Sequence, residues 1–154
     1  MTAKCPSCGF VLDGHASRSP QDHRRFFAVI RATYTHWPES HEFQPDNAEH
    51  LRAWLLCKAG YRDVTTIPCE FAEDQPGLLR LVAIAAESAV RAAKGYAFLR
   101  PHGGGIAVFS AKSIKWDKID QKAFNAIRDA VEEVIEAETG LKPDQLLKET
   151  EKAA

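Results

Sequence analysis

One amphipathic stretch near the C-terminal end constrains the fold of this 154-residue chain more than any other. Asp120 stands where a helix N-cap belongs. Phe124, Ile127, Val131, Val134 and Ile135 then recur at helical spacing, and Gly140 closes the run. About 20 helical residues span about 30 Å. An apolar stripe of that length has to be covered, and a sheet is the expected cover.

The rest of the chain is read for what lies against that stripe. Ser19 reads as an N-cap with Pro20 at the first helical position, and Phe26, Phe27, Ile30 and Tyr34 repeat at helical spacing up to Trp37 and Pro38. After the polar loop ESHEFQP, Asp46 and Glu49 form a capping-box pattern. Leu51, Trp54, Leu55 and Ala59 share one face of a second helix, and Gly60 ends it. DVTTIPCEF is β-branched enough for a strand, which Pro68 would keep at a sheet edge or end. LLRLVAIAAESAVRAAK follows Pro76-Gly77. It is apolar most of the way round, so a largely buried helix is expected. YAFLR and IAVFSAKSI read as strands joined by PHGGG, and a short helix starts at Pro143.

The expected fold class is therefore α+β: one helix-rich domain over 18–154 with a small antiparallel sheet, preceded by a small Cys-containing head over 1–17.

Composition narrows the setting. Apolar residues make up 45% and charged residues 27%, as in globular proteins. The longest apolar run, Leu81 to Ala86, is too short to cross a bilayer, and the N-terminus lacks a signal-peptide core. No membrane association is expected, and the expected compartment is the cytoplasm, where thiols stay reduced. In that setting CPSCG places Cys5 and Cys8 as half of a structural zinc knuckle holding one ion. His15 and His23 are the candidate remaining ligands, with Cys57 and Cys69 reachable only through tertiary contact. Cys57, beside the apolar face of the second helix, reads as core.

Charge is uneven. Residues 1–118 carry 15 Lys/Arg against 12 Asp/Glu, whereas residues 119–154 carry 5 against 9. The window Arg91 to Lys118 holds six basic residues and one Asp. SRSPQDHRRFF gathers Arg18, His23, Arg24 and Arg25 at a helix start, where backbone N–H groups favour anions and Arg adds bidentate phosphate contacts. Arg100, Lys112 and Lys115 supply cations further on, with Trp116, Tyr96 or Trp37 as rings for stacking on bases.

These residues carry a resemblance. Arg18-Ser19, Gln21 and Arg24 followed by aromatic residues resemble the R-S-x-x-Q-N-R-x-x-W motif of the phage NinB (Orf) recombination proteins. A related phage domain family of unknown function is closer. Pro20-Gln21, His23-Arg24-Arg25-Phe26-Phe27, Trp37-Pro38-Glu39, Lys58-Ala59-Gly60-Tyr61, Lys112-Ser113-Ile114-Lys115-Trp116 and Asp120-Gln121 with Phe124 follow its order from about residue 18 to 137. Gln21 sits one residue earlier than in NinB. The CPSCG head lies outside the pattern, and 78–94 and PHGGG look like insertions. His23 belongs to the motif in members without a cysteine pair, which lowers its standing as a zinc ligand. The resemblance implies a phage or prophage accessory protein of DNA recombination or replication. Such a protein would bind single-stranded DNA without catalysis, act with single-strand-binding protein or a recombinase, and form a homodimer.

Catalytic frames are weak. Glu70, Glu73 and Asp74 cluster after a strand, but no E-x-K or D-x-x-D frame follows, so a metal-dependent nuclease ranks below the binding reading. His102 and Gly103-Gly104-Gly105 lack a phosphate-loop Lys-Ser/Thr and read as a hairpin tip. The rival from another class is a protein-binding inhibitor or adaptor of the phage counter-defence type, acting through the acidic C-terminal helix.

Overall fold

A computed structural model describes residues 3–4, 11–12, 19–70, 74–93, 95–115 and 118–154, the first four as backbone only. Two short strands, β1 (Ala3–Lys4) and β2 (Val11–Leu12), pair antiparallel. Helix α1 (Pro20–Thr35) begins as its cap dictates, with the Ser19 hydroxyl accepting the Asp22 N–H at 3.3 Å. Helix α2 (Ala48–Lys58) departs from the sequence reading by one residue. Asn47, not Asp46, is the cap, its side-chain oxygen accepting the His50 N–H at 2.9 Å. Glu49 does not complete a capping box and instead accepts from the Arg52 Nε at 3.0 Å.

Strand β3 (Arg62–Pro68), helix α3 (Pro76–Ala92) and strands β4 (Ala97–His102) and β5 (Gly105–Ala111) follow. The sheet order is β3-β5-β4, all antiparallel, so β3 lies at an edge and Pro68 ends it. The hairpin is tighter than PHGGG suggests, since Pro101 and His102 lie in β4 and the turn is Gly103-Gly104. Gly105 has a strict steric reason: a Cβ there would stand 2.2 Å from the Ile67 carbonyl oxygen. Helix α4 (Gln121–Thr139) is capped by Asp120 and ends at Gly140, whose φ of 71° is left-handed. Helix α5 (Pro143–Ala153) closes the helix-rich α+β fold. No helix of the described residues is long and apolar enough to cross a membrane.

The α4 stripe is covered, but not as expected. Helices α1, α2 and α5 pack on it, with Phe124 edge-on to Phe26 at 5.5 Å. The sheet contributes Phe98 and Phe109 to this large core from further off. Cys57 is in that core, as its place on α2 implied. So is Trp37, whose indole N–H goes to the Phe43 carbonyl at 2.8 Å, and this removes it as a base-stacking surface.

The expectation for α3 is overturned. Only Leu79 and Ala83 of its 17 residues are buried. They form a separate small core with Leu99 and Ile106 on the other face of the sheet. Leu78, Leu81, Val82 and Ile84 are exposed. The helix meets β4 with one narrow stripe, and nothing described covers its remaining faces.

Candidate functional site

The second turn of α1, the middle of α2 and the segment after β5 meet around a cleft of about 510 Å³. Helical spacing turns His23 and Phe27 to one side of α1 and Arg52, Ala53 and Leu56 to one side of α2. The chain leaving β5 adds Lys112, Ser113, Ile114 and Lys115, and Tyr96 leads in from the start of β4. Backbone bonds fix the shape of that segment. The Lys112 N–H donates to the Tyr61 carbonyl at 3.2 Å, the Lys115 N–H to the Ser113 hydroxyl at 3.3 Å, and the Lys118 N–H to the Lys115 carbonyl at 3.0 Å.

Among the described residues no carboxylate lines the cleft, whereas Arg52, Lys112 and Lys115 do. The nearest neutralising groups lie outside it. Glu49 holds the Arg52 guanidinium, and Asp63 is 3.9 Å from the exposed Lys112 Nζ. Two rings border the cations: the Arg52 guanidinium lies 5.5 Å from the Phe27 ring centre, and His23 stands 4.7 Å from the same ring. Tyr96 is held by the Asn47 amide at 3.0 Å and by stacking on His50 at 4.9 Å. Cations beside rings, with no anion between them, suit an anionic chain carrying flat bases.

The structure separates residues that the sequence grouped. His23, Lys112 and Lys115 come together in the cleft, and Tyr96 joins them. Arg24 is exposed beside them on α1, without an ion pair among the described residues. Arg25, one residue on, turns the other way. It donates to Glu132 at 2.6 Å and Asp144 at 2.9 Å, ties α1 to α4 and α5, and has its pKa raised chiefly by the Glu132 bond. Around it lies a hollow of about 500 Å³ bordered by five carboxylates, Asp129, Glu132, Glu133, Glu136 and Asp144. Arg100 is on β4, donating to Glu87 at 2.9 Å and to the Leu99 carbonyl at 2.7 Å. Arg18, Trp116, Cys5, Cys8 and His15 lie outside the described residues, as does Glu73. Among the described residues no group of three His, Cys, Asp or Glu side chains could hold a metal ion.

Arg52 is the cleft residue the sequence reading missed. Its i−3 partner Glu49 fits a capping-box pattern in the sequence, and Arg52 itself belongs to no motif there. Its only sequence signal is its place on α2, about 100° from the apolar face.

No family model matches the chain, and no curated protein or solved structure matches it at a significant level.

Proposed function

We propose that the protein binds single-stranded nucleic acid along this cleft, without catalysis, as an accessory protein of phage DNA recombination or replication. The observation that supports this is the lining: three cations, the His23 ring and the aromatic Phe27 and Tyr96, with no carboxylate among the described residues. Phosphates would sit on Arg52, Lys112 and Lys115, with Arg24 extending the track, while bases stack on Tyr96. The resemblance to the NinB group supplies the biological setting. It brings with it a homodimer and a partner among single-strand-binding proteins or recombinases; the cytoplasm follows from composition, and one zinc ion on Cys5 and Cys8 from the CPSCG spacing, which lies outside that resemblance.

The test is fluorescence anisotropy with a labelled single-stranded oligonucleotide at several salt concentrations. Each phosphate contact on a single strand contributes about 0.7 to the slope of log affinity against log salt. Lys115→Ala and Arg52→Ala should each flatten the slope by about that amount. Tyr96→Leu should weaken binding by about 1–3 kcal/mol at an unchanged slope. Absence of binding by the wild-type protein at low salt rejects this reading. Elemental analysis should find one zinc per chain in protein purified without chelator, lost in Cys5→Ser.

A second reading, a protein-binding adaptor, is favoured by the exposed apolar stripe of α3. It takes over if the oligonucleotide fails to bind.

A further inference from the structure

On the opposite flank of α2 from the cleft lies a smaller slot of about 240 Å³ between that helix and the sheet. Three rings line it, Trp54, Phe98 and Phe109, together with three cations, Lys58, Arg62 and Arg100, and no carboxylate among the described residues. The cations arrive from α2, β3 and β4, so no single element's surface pattern accounts for their meeting. Two are balanced from outside the slot: Lys58 is 3.9 Å from Glu138, and Arg100 is 2.9 Å from Glu87. Arg62 is not. It gives one N–H to the Cys57 carbonyl at 3.0 Å and rests 4.9 Å from the Phe109 ring centre. It has no carboxylate within ion-pair distance among the described residues, because the adjacent Asp63 sits with Lys112.

A guanidinium laid against a ring and tied to a carbonyl has lost much of its rotational freedom. Its planar fork is then preset for a planar oxyanion. Pockets for drug-sized ligands run to about 300–1,000 Å³, so this slot is sized for one ring with one charged group. Cys57 contributes apolar lining rather than a nucleophile, since burial pushes its thiol pKa up to about 11.

We propose that this slot is a binding site for a small aromatic carboxylate, its ring among Trp54, Phe98 and Phe109 and its carboxylate on Arg62. Lys58 and Arg100 flank the anion and exclude cationic analogues. The site shares no lining residue with the basic cleft and does not depend on nucleic-acid binding.

The test is titration of the intact protein with benzoate, benzylamine and inorganic phosphate, followed by amide and indole NMR shifts. Benzoate should shift the Trp54 indole and the Arg62 amide, and benzylamine and phosphate should not. Arg62→Gln should weaken benzoate by about tenfold or more, since a charge-assisted bond is lost. Lys58→Gln, at an exposed side chain, should weaken it less with the fold intact. If Arg62→Gln does not fold, Arg62→Lys keeps the charge without the fork and should still bind several-fold more weakly. Benzylamine binding as well as benzoate, phosphate binding equally well, or affinity unmoved by the Arg62 variants would each overturn the proposal. Lys115→Ala, which weakens the cleft and leaves the Lys112–Asp63 pair in place, should leave benzoate affinity unchanged. If that variant abolishes benzoate binding, the two recesses are not separate sites and the proposal fails.

Discussion

The two faces of the small sheet are treated very differently. On one, Phe98 and Phe109 point at α2, and behind it Trp54, Phe43, Trp37 and Phe26 build a continuous core reaching α4 and α5. Phe43 lies flat on Trp54 at 4.9 Å, and His50 lies nearly parallel to both Tyr96 and Phe98. On the other face, Leu99 and Ile106 meet Leu79 and Ala83, with Cys69, Ala86, Ala97 and Val108 only partly buried around them. Yet α3 is the more apolar of the two helices. Apolar content therefore does not decide burial. A helix is buried by what packs on each of its sides, and among the described residues α3 has a partner on one side only, whereas α2 sits between other helices and the sheet.

Four measurements test that contrast. Phe124→Ala in the large core should cost about 3–5 kcal/mol in urea unfolding, because a fully buried ring leaves a cavity that rigid helices cannot close. Leu79→Ala in the small core should cost less, about 2–3 kcal/mol, since a helix held on one side can settle inward. Equal losses would mean that the small core is as tightly enclosed as the large one.

Acid should strain the large-core side first. His50 is buried, its Nδ1 accepts the Asp46 N–H at 3.2 Å, and burial followed by the charge of Arg91 lowers its pKa below the usual 6.5. Above pH 6.5 the ring is neutral in both folded and unfolded chains. Below it the unfolded chain takes up a proton that the folded chain resists. Stability should therefore fall as pH drops below 6.5 towards the folded value, by at most about 1.4 kcal/mol per pH unit from this group. Urea melts of wild type and His50→Gln between pH 7 and 5 should differ in slope, and identical slopes would remove His50 as the cause. The smallest effect is expected at Leu81, 64% exposed. Leu81→Ser should change monomer stability by less than about 0.5 kcal/mol. A larger loss that grows with protein concentration would show α3 covered in solution.

Much of the scaffold could be read from the residues, for local reasons. Ser19, Asp120 and Gly140 mark helix ends because their own side chain or backbone makes the terminating contact. The α4 stripe, the edge position of β3 and the hairpin follow from periodicity and turn chemistry. What stayed hidden depends on distant parts of the chain. The choice of Asn47 over Asp46 is set with Tyr96, 49 positions on, and the pairing of Arg25 with Glu132 and Asp144 spans more than 100. Arg24 and Arg25 look interchangeable in sequence, but one residue of helical phase, about 100°, sends the second into a ring of carboxylates. For the same reason the cleft is only half legible: His23, Lys112, Lys115 and Tyr96 stand out in the sequence, but nothing local joins Arg52 to them.

The open strand β3 has a consequence for how the protein behaves in bulk. Its outward backbone groups run beside Val64, Thr65, Thr66 and Ile67, a β-branched tract that could template the growth of a longer sheet at high concentration. The tract is fenced at both ends. Arg62 and Asp63 place charge at one end, and Pro68 removes a backbone donor at the other. Four residues between such gatekeepers are a short lane for fibre growth, so colloidal stability here rests on three residues that contribute little to the core.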